Sequence, residues 1–288
     1  MKVVSYETVA RFLEENKTLL LEREAVSQLI LFNALTNQHL ETNAALLFGR
    51  VEDDLGQAVL LFANVQPYNL VIHAANPAGI PSAAQTLSDY IIRLDIEIKG
   101  INANKAICNA FTAEYGIKRP GYDFREKLAM DIMELKRLKD LKLVKGKTRH
   151  ANMAEMERIA EWMMEFTADA LDETVLYEDQ IPKAIKIIES KRLYVFENPD
   201  GEIVSMAAAA KQLIHGICIN YVYTPFKFRN KGYAAANMYY LSKEMLDKGN
   251  QFCSLFVDKK NPVSNRVYKK IGYEILEDQY DFRLFQAV

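Results

Sequence analysis

The chain has 288 residues, half of them apolar, with a formal net charge of -2 and a pI near 6.2. That length suits two domains of ordinary size with sizeable cores, and the near-balanced charge argues against a surface built to grip a nucleic acid. Cys108, Cys218 and Cys253 are odd in number and have no metal-like spacing, and His39, His73 and His150 show no ligand spacing either, so no metal is expected.

In chain order, Met1 to Lys17 mixes charges into an amphipathic pattern rather than a signal peptide. No apolar run anywhere approaches the roughly 18–20 residues that span a bilayer, so a cytoplasmic chain without a membrane partner is expected. Glu7 to Glu15 and Arg23 to Leu35 read as helices, the second with Leu29, Ile30, Phe32 and Leu35 on one face. Ala44 to Arg50 and Gln57 to Asn64 read as a hairpin turning through Asp53 to Gly56, and Tyr68 to Ala74 as a third strand. Thr86 to Ile98 and Ala106 to Glu114 are amphipathic helices, the latter closed by Gly116. Asp123 to Leu135 fits either a strand pair or a short helix.

The lysine-rich stretch from Lys136 to Lys147 reads as the linker, or as an exposed helix followed by a strand. Beyond it the same order returns. Asn152 to Phe166 and Gln180 to Lys191 are helical, and Leu193 to Glu197 and Glu202 to Leu213 form a hairpin through Asn198 to Gly201. Gly216 to Tyr223 is a buried strand, Ala235 to Lys248 a helix terminated at Gly249, and Gln251 to Val257 a strand. A helix from Pro262 and a strand from Tyr273 to Phe285 complete the chain. Gly56 answers to Gly201 and Pro77 to Pro225, which predicts two copies of one fold, divided as 1–138 and 139–288.

Chemistry concentrates between the strand at Gly216 and the helix at Ala235. Arg229-Asn230-Lys231-Gly232-Tyr233-Ala234 makes a tight basic loop opening a helix. Unpaired N–H groups and a partial positive charge at a helix start hold an anion, so the loop reads as a pyrophosphate cradle. No Walker-type loop and no Gly-x-Gly-x-x-Gly occurs. The first copy has Asn76-Pro-Ala-Gly-Ile-Pro81 at this place, and Pro77 and Pro81 remove donors.

The segment from about Lys191 to Phe285 resembles the core of the GNAT superfamily of acetyl-CoA-dependent N-acyltransferases. It carries that family's Arg-x-x-Gly-x-Ala loop at Arg229, Gly232 and Ala234, preceded by Val222-Tyr-Thr-Pro225. A second family motif follows in order at Asn261, Ser264, Tyr268, Gly272 and Tyr273. The resemblance implies a mixed α+β / α/β chain: a GNAT fold, with a mostly antiparallel sheet flanked by helices, in two tandem copies of which the first is degenerate. It further implies that Val222, Tyr223, Thr224, Arg229, Asn230, Lys231, Gly232, Tyr233, Ala234, Asn261 and Ser264 bind acetyl-CoA as cosubstrate. Tyr268 is then the acid that protonates the leaving thiolate, a task for which a phenol with its ordinary pKa near 10 is correctly protonated. Asn261 before Pro262 is also a good helix cap in its own right.

Many relatives place a carboxylate base on the strand before the loop, where this chain has Ile219 and Asn220. A water chain, Asp258 or His215 could substitute. The reaction expected is direct transfer of acetyl from acetyl-CoA to a primary amine of a small molecule or peptide. The alternative is a non-catalytic acyl-CoA-binding sensor or assembly module. Relatives often dimerise, so a homodimer is compatible with the pattern.

Overall fold

The computed structural model describes residues 1–286. It forms two compact units, one made of Met1–Asp131 with the chain from Glu277 onward, the other of Ile132–Leu276. The first unit opens with β1 (Lys2–Ser5), α1 (Val9–Glu22) and α2 (Gln28–Asn37). It continues through β2 (Leu46–Glu52), β3 (Ala58–Val65), β4 (Leu70–Ala74), α3 (Ile80–Arg93), β5 (Gly100–Ala103), α4 (Lys105–Lys118) and β6 (Tyr122–Leu135), whose last residues enter the second unit. β1 to β4 pair antiparallel in sequence order and β4 pairs parallel with β5. α3 buries Ile80, Ala83, Ala84, Leu87 and Ile91 in the cluster that holds Leu60, Phe62, Leu70 and Ile72. The apolar spacing of three and four residues seats that helix on the sheet.

The second unit contains β7 (Lys147–His150), α5 (Met156–Leu171), α6 (Tyr177–Glu189), β8 (Leu193–Glu197), β9 (Ile203–Gln212), β10 (Gly216–Tyr223), α7 (Tyr233–Asp247), β11 (Phe252–Asp258) and α8 (Pro262–Ile271). β7 to β10 pair antiparallel and β10 pairs parallel with β11. Trp162 and Met163 of α5 pack with Val195, Met206 and Tyr223 in one cluster. Met238 and Leu241 of α7 pack with Ile217, Ile219 and Leu255 in another. The unit is therefore a sheet with a helical layer on each face, the mixed fold expected.

The repeat extends to individual atoms. In the two hairpins, Asp53 Oδ1 accepts from Leu55 and Gln57 N–H, and Asn198 Oδ1 accepts from Asp200 and Glu202 N–H. Gly56 and Gly201 follow with φ of 78° and 80°, a conformation that glycine takes without a Cβ penalty. Gly79 (φ 89°) and Gly232 (φ 83°) both stand as left-handed N-caps, of α3 and α7. Asn104 and Asn261 both cap the last helix of their copy, accepting from Ile107 and Ser264 N–H.

Four expectations change. Asp123 to Leu135 belongs to one long strand rather than a strand pair or a helix. α3 starts at Ile80, not Thr86, because Gly79 is its cap, and α4 runs through Gly116 to Lys118. The final strand, β12 (Glu274–Gln286), was read as part of the second copy, yet Tyr280 to Arg283 pair antiparallel with Ala103 to Gly100 of β5 in the first unit. Local pattern identifies a strand but not its partner. Among the described residues no helix is long and apolar enough to cross a membrane.

Candidate active site

The site begins with a break in β10. Asn220 stands opposite Ala208 and Tyr223 opposite Met206 of β9, so Tyr221 and Val222 together face the single residue Ala207. This is a β-bulge, with Tyr221 forced to φ 49°. The extra residue reverses the side-chain alternation. Ile217, Ile219 and Val222 pack on the α7 face, whereas Tyr221 and Tyr223 pack against α5 and α6. On the other edge, the parallel ladder with β11 ends at Cys218 and Ser254 among the described residues, although β10 continues to Tyr223 and β11 to Asp258. Val222 thus lies outside the ladder registers on both sides, in a strand that has parted from its neighbour.

A 3-10 turn at Phe226–Phe228 leads to the basic loop. Asn230 (φ 62°) and Gly232 both take left-handed conformations, which coils the loop into the start of α7. That helix has no side-chain cap and no acidic residue in its first turn. Asn230, Lys231 and Gly232 are exposed, and Tyr233 and Ala234 half-buried. Orphan amides, a positive helix end and an exposed lysine are the donor set that a diphosphate requires.

Two of the expected loop contributions take a different form. Arg229 does not offer a free guanidinium: Nε donates to the Thr224 carbonyl at 2.9 Å, and Nη2 pairs with Asp169. Its plane also lies 5.7 Å from the Tyr223 ring centre. Its place in the structure is to brace the loop against β10 and α5. At Gly232 the space that a Cβ would fill is taken by Val144, whose Cγ1 lies 3.0 Å from the Cβ position, so the glycine meets a packing demand as well as a dihedral one.

The second motif folds as a capped helix. Asn261 Oδ1 accepts from Ser264 N–H at 3.0 Å and Pro262 occupies the first position of α8. Side chains on a helix lean toward its amino end, which aims Tyr268 of α8 back toward Ser264 one turn earlier. The ring is buried, 6% exposed, beside Tyr273 at 5.8 Å. Burial pushes its pKa above the ordinary tyrosine value while the Ser264 side chain pulls it down, and the proton is retained at neutral pH. Val222 packs against the same cluster as Tyr268. Val222 and Tyr268 thus border one apolar cluster.

Ile219 is buried and Asn220 exposed, so neither supplies a carboxylate. His215 precedes β10 at the end away from the bulge, six to seven residues or about 20–23 Å along the strand, which sets it apart from Val222 as a substitute base. Asp258 accepts from Lys260 N–H in its own turn. Sequence reasoning missed Glu165 of α5, which accepts from the Tyr223 hydroxyl at 2.9 Å. Glu165 and Asp169 lie one turn apart, a spacing that puts both on one helix face, but nothing in the sequence says which strand that face meets.

Residues 156–273 match the acetyltransferase (GNAT) family. The second unit carries a GNAT acetyltransferase domain. Solved structures share the fold of the whole chain. A GCN5-related N-acetyltransferase from Sphaerobacter thermophilus is 13% identical over 99% of this chain and 95% of its own, with a TM-score of 0.62. An acetyltransferase of the GNAT family from Colwellia psychrerythraea is 12% identical over 98% and 100%, TM-score 0.53. A tandem GNAT protein from the clavulanic acid biosynthesis pathway is 11% identical over 100% and 99%, TM-score 0.52. No curated protein matches the sequence. At these identities the likeness is one of fold, and the family match assigns acyltransferase chemistry to the segment 156–273.

The first unit repeats the strand and helix order of the second but differs from it in the loop. Its parallel ladder between β4 and β5 is short, and Gly79 caps α3 as Gly232 caps α7. The loop, however, carries Pro77 and Pro81 and no cation, and Met1 Cε lies 3.0 Å from the Gly79 Cβ position. Phe111 of α4 occupies the place, seven residues after the capping asparagine, that Tyr268 occupies in α8.

Proposed function

We propose that the second unit transfers an acetyl group from acetyl-CoA to a primary amine by direct attack. The observation that carries this reading is the backbone at Val222, displaced from both ladders and packed on the cluster that holds Tyr268. The exposed loop Asn230-Lys231-Gly232 and the first-turn amides of Tyr233 and Ala234 would hold the diphosphate, and Arg229 would fix the loop's shape through Thr224 and Asp169. The pantetheine would follow the opening between β10 and β11, past Val222, Tyr223 and Thr224, toward Asn261 and Ser264 at the head of α8.

In the reaction, the neutral amine adds to the thioester carbonyl and the Val222 amide donates to the developing oxyanion. The carbon–sulfur bond then breaks, the thiolate takes the Tyr268 proton, and the ammonium formed on the acceptor gives up its own. Glu165 is the carboxylate placed to receive it, directly or through Tyr223. The acceptor's class, small molecule or peptide, is left to experiment.

Isothermal titration with acetyl-CoA, followed by thiol release across a panel of amines, tests the proposal. Binding with release supports it. An absence of binding overturns it, and tight binding without release to any amine replaces it with a thioester-binding module.

A further inference from the structure

The segment 136–146 between β6 and β7 has no regular secondary structure, yet it is fastened along its length. Lys139 N–H donates to the Ile271 carbonyl at 2.8 Å, at the end of α8. The Arg137 carbonyl lies 2.7 Å from the Gly272 Cβ position. Leu138 and Leu141 pack on the Tyr268 cluster, and Leu143 and Val144 pack beside Phe228, Ala236 and Tyr233. Val144 finally reaches the Gly232 turn itself. A strap thus runs from the end of α8 to the start of α7, with its apolar residues turned inward.

Its cations face the other way. Lys142 and Lys145 are exposed and form no ion pair among the described residues. They flank Leu143 and Val144, which pack at the α7 start, so both lysines stand on the stretch of strap that passes the turn. The loop's own charge is depleted there, because Arg229 is committed to Asp169 and Lys227 to Glu202, which leaves Lys231 as the loop cation without a carboxylate partner. A diphosphate carries more charge than one lysine offsets, and a mobile ammonium is a good point charge for phosphate oxygens.

We propose that Lys142 and Lys145 are phosphate-binding residues of the coenzyme site, supplied by the strap rather than by the GNAT motifs. This inference rests on the coenzyme reading above. Of the nearby acidic groups, Asp169 and Glu202 are paired and the first turn of α7 has none, while Asp140 of the strap precedes Lys142 on the side toward α8.

The test is titration of the full chain with CoA and with dephospho-CoA, at low and at moderate salt. Lys142→Ala/Lys145→Ala should weaken CoA binding about fivefold, in line with two exposed charge contacts, and flatten its salt dependence. Lys142→Glu/Lys145→Glu should weaken it further, with an unchanged far-UV spectrum and melting temperature showing that the fold is intact. A loss that persists with dephospho-CoA places the lysines on the diphosphate; a loss seen with CoA alone places them on the 3′-phosphate. Wild-type affinity and salt dependence in both variants overturn the inference while leaving the coenzyme site standing. A wild-type chain that binds neither ligand overturns the coenzyme reading and the inference with it.

Discussion

Ala234→Asp separates anion binding from folding at the α7 turn. Gly232 is a poor place to probe, since its φ of 83° and the Val144 contact make any side chain there costly to the fold. Ala234 is the second helical residue, half-buried, in a first turn that has no acidic side chain. A carboxylate there complements the helix dipole and takes up orphan amides, which stabilises a helix by about 0.3–1 kcal/mol. For a domain of this size the melting temperature should rise by about 1–3 °C. The same carboxylate repels a diphosphate and occupies at least one of its donors. One lost charge-assisted hydrogen bond costs about 1.5–3 kcal/mol, or about a 10- to 150-fold rise in Kd for acetyl-CoA. Calorimetric titration and a thermal melt on the same sample read both effects, and Ala234→Asn, which caps without charge, provides the comparison. A raised melting temperature with unaltered affinity would refute the placement of the diphosphate at this turn. A lowered one would refute the claim that the turn lacks a cap of its own.

Tyr268→Phe should reduce turnover by one to several orders of magnitude, about 10–1,000-fold for a general acid, and leave the Kd for acetyl-CoA nearly unchanged; equal turnover cancels its role as the acid. Glu165→Gln should lower turnover without altering coenzyme affinity, and an unchanged turnover removes Glu165 as proton acceptor. In the first unit, Gly100→Ala drives a Cβ to 2.1 Å from the Phe282 carbonyl, so urea unfolding should show a loss of at least about 2 kcal/mol, typical of overpacking against backbone. Burial pushes the His73 imidazole down to about 4 against a smaller upward pull from Glu277. The unfolded chain therefore takes the proton first: the contribution is complete above pH 6.5 and fades as pH falls toward 4. It amounts to about 3 kcal/mol at most, and a chain with His73→Leu should show a flatter profile of urea midpoint over that interval.

The parts of the fold written in local pattern were legible. Alternating strands and the Asx-plus-glycine turns at Asp53 and Asn198 placed both hairpins, because those turns need particular residues at particular positions. The loop at Arg229 and the cap at Asn261 were legible for the same reason. What depends on distant partners was not. β1, β5 and β7 are four-residue strands, too short to carry a period of their own. The commitment of Arg229 to Asp169 joins residues sixty apart. The Glu165–Tyr223 contact depends on a bulge that turns Tyr223 toward α5. The strap's course over α7 and α8 is set by Leu138, Leu141, Leu143 and Val144, whose packing a lysine-rich composition conceals.

Because β12 hydrogen-bonds to β5, the first portion of the polypeptide is completed by the last. During synthesis, residues 1–131 must wait, with β5 lacking this partner, until residues 277–286 have been made. Removing residues 277–286 would therefore strip a strand from the first unit rather than from the second.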